Sequence, residues 1–119
     1  MHEVALAERM VRIALEAAAG NGGGRVTSAR LLLGALSGAE PETLRFAFEI
    51  AARGTPAEGC ALDVVRVPAK LKCRTCSAEH EGELLEPCPN CRSMGFEVLQ
   101  GRELRIESID LEEPSAARG

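Results

Sequence analysis

No tryptophan or tyrosine occurs in these 119 residues, and there are only three phenylalanines and two histidines. The shortage of aromatic rings removes the platforms on which single-stranded nucleic acids stack. The shortage of imidazoles leaves few groups for acid–base chemistry near neutral pH. Positive charge is not in surplus either: 14 Lys and Arg against 18 Asp and Glu give a net charge of −4. No field therefore draws in phosphates or an anionic membrane surface. No apolar run reaches the length of a membrane-spanning helix. The first apolar segment is broken by Glu8, Arg9, Arg12 and Glu16, which a signal-peptide core does not tolerate. Neither nucleic acid nor a membrane is thus expected as a partner, and a cytoplasmic protein is expected.

What is present is a globular balance, 45% hydrophobic and 27% charged, which builds a core from Leu, Val, Ile and Ala. The length suits one compact domain, or one domain with a small insert that must be stapled. From Glu3 to Ala19 the apolar residues Leu6, Met10, Ile13, Ala14 and Ala17 recur at helical spacing, and the glycine run from Gly20 to Gly24 ends the helix. Val26 to Leu36 reads as a strand whose Leu31-Leu32-Leu33 is apolar on both faces, as in a strand interior to a sheet or covered at its end. Pro41 opens a second helix with Leu44, Ala47, Phe48 and Ala51 on its apolar face, widened by Phe46 and Ile50, and Arg53-Gly54 closes it. Ala61 to Val67 is another strand, closed by Pro68. Phe96 to Leu99 and Glu103 to Asp110 read as a hairpin about Gln100-Gly101. The stretch from Leu71 onward has too few apolar residues for a hydrophobic core of its own. The expected fold is α+β, a lobe of two helices and a three-stranded sheet (1–68 plus 102–119) with an inserted zinc-ribbon-like lobe (69–101).

That insert holds four of the five cysteines, as Cys73-Arg74-Thr75-Cys76 and Cys88-Pro89-Asn90-Cys91. Two residues between thiolates let one tight turn present both sulfurs to a single ion, and two such turns complete the tetrahedron that Zn²⁺ prefers. Four thiolates leave no open coordination position, so the site is structural. A redox pair would not need a second pair, and the spacing lacks the third interval of an iron–sulfur cluster; a rubredoxin-like iron site is the remaining competitor. Cys60, at the start of a strand, reads as a small buried hydrophobe. His80 reads as an exposed loop residue, with service to a second metal as the other reading.

The second position of the chain is His2. The amine of Met1, the deprotonated amide of His2 and the His2 ring Nδ1 form three donors in one plane, which suits square-planar Ni²⁺ or Cu²⁺ and disfavours zinc. An initiator methionine is normally retained before a side chain as large as His, which keeps that amine in place. The fourth donor is open between His80, Glu3, Glu40 and water.

Met1-His2-Glu3 leading into an amphipathic helix, the paired Cys-x2-Cys segment and the closing GRELRIESIDLE together resemble the HypA/HybF family of hydrogenase nickel-incorporation proteins. The resemblance spans almost the whole chain. It implies a non-enzymatic nickel chaperone that works with a HypB-type GTPase, delivers Ni²⁺ to the large-subunit precursor of [NiFe] hydrogenase, and in some organisms serves urease maturation. Nickel binding would map onto Met1 and His2, with Glu3 in support, and structural zinc onto Cys73, Cys76, Cys88 and Cys91. The alternative is a zinc-ribbon regulatory module that binds nucleic acid or protein, which the acidic, aromatic-poor composition disfavours.

Overall fold

The computed structural model describes residues 3–112. Its elements run α1 (Glu3–Gly20), β1 (Val26–Gly34), α2 (Pro41–Ala52), β2 (Ala61–Val67), β3 (Lys70–Cys73), β4 (Glu79–Glu81), β5 (Phe96–Gln100) and β6 (Leu104–Leu111). Two three-stranded sheets result, ordered β2-β1-β6 and β4-β3-β5. Among the described residues the chain divides into two compact units, one of residues 3–31, 39–65 and 105–112, the other of residues 32–38 and 66–104.

In the first unit α1 buries Ala7, Met10, Val11, Ala14 and Ala18. This face is rotated by about one position from the expected one, so Ile13 is 44% exposed. The helix stops because Asn21 and Gly23 both donate their amides to the Ala18 carbonyl, and Gly22 takes φ +99°, a conformation with no steric cost for glycine. Glu40 starts α2 in an extended conformation, and its side chain accepts from the amides of Glu42 and Thr43 while Pro41 fills the first helical turn. Those amides would otherwise lack acceptors. The long carboxylate therefore does the capping that Asp or Ser usually performs. Leu44, Ala47, Phe48 and Ala52 are buried on α2. Phe46 and Ile50, expected to widen that face, are instead 61% and 44% exposed, because the buried stripe of α2 runs along Leu44, Ala47 and Phe48, leaving the flanking positions to solvent.

β1 is the central strand of its sheet, as its run of apolar residues requires. Against β6 it runs antiparallel: Gly34 N donates to Glu103 O at 2.7 Å and Glu112 N to Arg25 O at 2.9 Å. Against β2 the partners advance together, Arg30 with Asp63 and then Ala35 with Val67, as in parallel strands joined by a helical crossover.

The expected hairpin between the last two strands does not form. β5 pairs with β3, setting Phe96 beside Cys73 and Val98 beside Leu71, while β6 belongs to the other sheet. Gly101, at φ +120°, turns the chain between them, and a Cβ there would lie 2.8 Å from the Ala69 Cα. Gly34 is more crowded still, since a Cβ there would clash with the Gly101 carbonyl oxygen. Leu36 N donates to that same oxygen at 2.6 Å. The alternation of Leu104 and Ile106 reports a strand but not its neighbour, and two different cores compete for the segments on either side of Gly101.

The second unit has a small core after all. Leu71, Cys73, Cys88 and Phe96 are buried together, with Leu36, Cys76, Leu84, Cys91 and Val98 packed against them. Four of these nine side chains are cysteines, so apolar burial alone is thin.

Candidate metal centre

β3 ends on Cys73, whose amide donates to Ala78 O at 2.9 Å while Ser77 N donates back to Cys73 O at 2.9 Å. The second pair repeats this construction: Cys88 N donates to Ser93 O at 2.7 Å and Arg92 N to Cys88 O at 2.8 Å. Ser77 and Arg92, each directly after the second cysteine of its pair, carry φ of 67° and 70°. These left-handed residues fold each Cys-x2-Cys back on itself. Inside each turn an amide points at the first sulfur, Thr75 N to Cys73 Sγ and Asn90 N to Cys88 Sγ, both at 3.4 Å.

The two turns bring all four sulfurs within 4.8 Å of one another. Cys73 and Cys91 stand 3.5 Å apart, Cys76 and Cys88 3.7 Å. A zinc–sulfur distance of about 2.3 Å implies a tetrahedral edge of about 3.8 Å, so the donor set fits such an ion. A disulfide needs about 2.05 Å, and all five cysteines are free thiols. Burial of Cys73 and Cys88, with Cys76 and Cys91 half-buried, keeps water from the inner edge and leaves the outer edge accessible. The Asn90 side-chain amide, 3.4 Å from Cys76 Sγ, together with the Ala78 backbone amide, lowers the Cys76 pKa to about 6 against burial that raises it. Hydrogen bonds of this kind favour the thiolate, the form that binds metal. The sign is that Cys76 is ionised above about pH 6 and takes up a proton only below it.

Asn90 escaped the sequence reading, which saw only the four sulfurs. Its signal is a side-chain amide inside a Cys-x2-Cys turn, where it can reach the opposite pair. His80 is placed differently from expectation. It lies on β4 opposite Leu71 rather than in an exposed loop. Its ring packs edge-on against Phe96 at a centroid distance of 5.3 Å, and its Nδ1 is buried without a hydrogen-bond partner. Cys60 is half-buried rather than buried, one residue before β2. Burial raises its pKa above the usual thiol value of 9.0.

Of the residues expected to hold nickel, Met1 and His2 lie outside the described residues. Glu3 opens α1, and its Oε2 accepts the Glu40 amide at 3.3 Å. Both Glu40 carboxylate oxygens are engaged in turn, Oε1 with Glu42 N at 3.2 Å and Oε2 with Thr43 N at 3.0 Å. A cation taking Glu40 would compete with the cap of α2.

Residues 1–111 match the family described as HypA, hydrogenase/urease nickel incorporation, metallochaperone. The chain belongs to the HypA family. The hydrogenase maturation factor HypA of Acidithiobacillus ferrooxidans is 39% identical over 113 residues, covering 94% of this chain and 100% of that protein. That of Chlorobium limicola is 40% identical over 114 residues, covering 95% and 98%. The solution structure of the Ni metallochaperone HypA from Helicobacter pylori matches with a TM-score of 0.68 at 23% identity, over 93% of this chain and 97% of that one. Another HypA solution structure gives 0.71, also at 23% identity, over 94% and 97%. The α+β architecture is thus that of HypA proteins, and the family is one of metallochaperones for hydrogenase maturation. No helix among the described residues is long and apolar enough to cross a membrane.

Proposed function

We propose that this HypA-family chain takes up Ni²⁺ through the Met1 amine, the deprotonated His2 amide and the His2 ring Nδ1, with Glu3 in support. It hands the ion to the large-subunit precursor of a [NiFe] hydrogenase in concert with a HypB-type GTPase, acting in the cytoplasm and not as an enzyme. The observation that carries the reading is the family match from residue 1 to residue 111, which takes in Met1-His2-Glu3 as well as all four paired cysteines. The family description also names urease, whose maturation proteins are a second class of recipient.

The donor chemistry supports nickel as cargo. An amide nitrogen gives up its proton to Ni²⁺ or Cu²⁺ far more readily than to Zn²⁺, so the set selects by ligand type and planarity. Donors from adjacent residues can leave one at a time as an acceptor's ligands replace them. Protons compete with nickel for the amine, the amide and the imidazole, so affinity falls with acid. In the same proposal Cys73, Cys76, Cys88 and Cys91 hold a resident zinc ion. With no open position on it, its contribution is folding free energy, on the order of 10 kcal/mol. The proposed functional halves are a nickel lobe of 1–68 plus 102–119 and a zinc lobe of 69–101.

Calorimetric nickel titration tests this reading. His2→Gln, or one residue added ahead of Met1, should abolish the stoichiometric nickel site while zinc content stays unchanged. Nickel binding that survives both changes would overturn the assignment. X-ray absorption at the nickel edge should show nitrogen-rich planar coordination.

A further inference from the structure

The four sulfurs of the quartet are not equivalent. Cys73 Sγ accepts the Thr75 amide and Cys88 Sγ the Asn90 amide, each at 3.4 Å, and both side chains are buried. Of the two half-buried sulfurs, Cys76 Sγ accepts the Asn90 side-chain amide, also at 3.4 Å. Cys91 Sγ accepts no N–H among the described residues and has Cys73 Sγ, 3.5 Å away, as its partner. Asn90 therefore acts on both pairs at once. Its backbone fixes a sulfur of its own turn, and its side chain fixes one of the opposite turn, 14 residues away. A hydrogen bond to a ligating thiolate orients the sulfur and stabilises its charge, so partners of this kind tune metal affinity. A sulfur without one is held by the ion alone.

We propose that Asn90 is the positioning residue that latches Cys76 onto the ion, and that Cys91, which nothing latches, is the ligand that lets go first when metal enters or leaves. The inference rests on the reading that these four cysteines hold zinc. Cys91 lies at the accessible edge, where a water molecule or an incoming donor can take its place as it swings away. Cys76 shares that edge, but its departure must first break the Asn90 bond. Cys73 and Cys88 are packed into the core of the unit and have no comparable room to move. The centre thus opens at one sulfur and stays closed at three.

Competition between the full-length protein and a chromophoric chelator for zinc tests this, alongside cobalt substitution, where the d–d bands report a four-coordinate site. The wild type should hold one zinc ion per chain. Asn90→Ala should weaken zinc binding about tenfold. Asn90→Asp keeps the shape of the side chain but sets a negative charge in place of the donor, so it should weaken binding further, whereas a merely space-filling residue would tolerate it. Cys91→Ala should bind cobalt more tightly than Cys76→Ala. Adding Asn90→Ala should cost the Cys91→Ala protein about the same tenfold and the Cys76→Ala protein nothing, because the sulfur it latches is gone. Should neither cysteine variant hold cobalt, the zinc affinities decide: wild type above Asn90→Ala above Asn90→Asp sustains the proposal, and any other order overturns it. An Asn90→Ala loss that persists without Cys76, or a Cys76→Ala protein that binds more tightly than Cys91→Ala, would also overturn it while leaving the zinc site standing. A wild type without stoichiometric zinc would overturn it together with the reading beneath it.

Discussion

The two units reach order by different means. The first closes on Phe48, Leu31 and Leu44, each at most 1% exposed. Burial of such side chains contributes about 1.5–3 kcal/mol apiece, and a handful suffices for a small domain. The second gathers nine side chains of which four are cysteines, so its inner layer is made largely of metal-binding groups. Chains of this size afford one good apolar core and not two. Where the second is short of apolar area, four convergent sulfurs supply a different attraction, one that depends on an ion.

The largest effect should therefore come from the sulfurs. Cys73→Ser removes a buried donor at the end of β3 and is expected to release zinc, with a loss on the order of 10 kcal/mol of binding free energy. Hydrogen exchange should show the amides of Leu71 and Val98 losing protection while those of α1 keep theirs. Melting of α1 in step would mean that the first unit also leans on the metal.

The converse experiment removes a side chain from the apolar core. Phe48→Ala leaves a cavity in the first unit and should cost about 3–5 kcal/mol, seen as a lowered Tm in calorimetry. Zinc content measured by atomic absorption should not change below the transition. Zinc lost together with the first unit's fold would show that the sulfurs need that unit to stay in place.

This asymmetry also accounts for what the sequence reveals. α1, α2 and β2 are legible because a helix or strand writes its period locally, and β2 runs from Ala61 to Val67 as its turn residues require. The meeting of the four sulfurs is legible because Cys-x2-Cys fixes its own turn. What is not legible is whatever depends on a distant neighbour. Phe46 shares its helix with Phe48, yet only the position of the sheet decides which of the two is covered. The parting of β5 and β6 at Gly101 turns on Phe96 joining Cys73 and Leu71, a pairing across more than twenty residues. Leu36 and Asn90 reach the cysteine cluster from a connection and a turn, and His80 finds Phe96 across a sheet. None of these carries a periodic signal.

A smaller effect is expected at the cap of α2. Glu40→Ala deprives Glu42 N and Thr43 N of their acceptors, a loss of about 1 kcal/mol. Urea titration of the first unit should report it as a shifted midpoint with an unchanged slope. The Glu40 amide, which donates to Glu3, is retained, so a fall in nickel affinity larger than the fall in stability would mark the Glu40 carboxylate itself as a metal contact.

The least costly change contrasts two half-buried thiols, one in each unit. Cys60 has its sulfur beside the Ala61 carbonyl at 3.6 Å, and burial raises its pKa above 9.0. Cys76 has amide donors that lower its pKa to about 6. At pH 7 Cys60 is almost wholly protonated and, as the one cysteine outside the quartet, is the only thiol that a zinc-loaded protein offers to alkylation. Its reaction with iodoacetamide should be slower than that of an unperturbed thiol at the same pH, rising only as pH climbs past 9. Cys60→Ser should leave a zinc-loaded protein inert to the reagent, with Tm hardly altered. A fast, pH-independent reaction at Cys60 would show a thiolate where burial predicts a thiol, and the contrast between a sulfur that packs and sulfurs that ligate would fail at that residue.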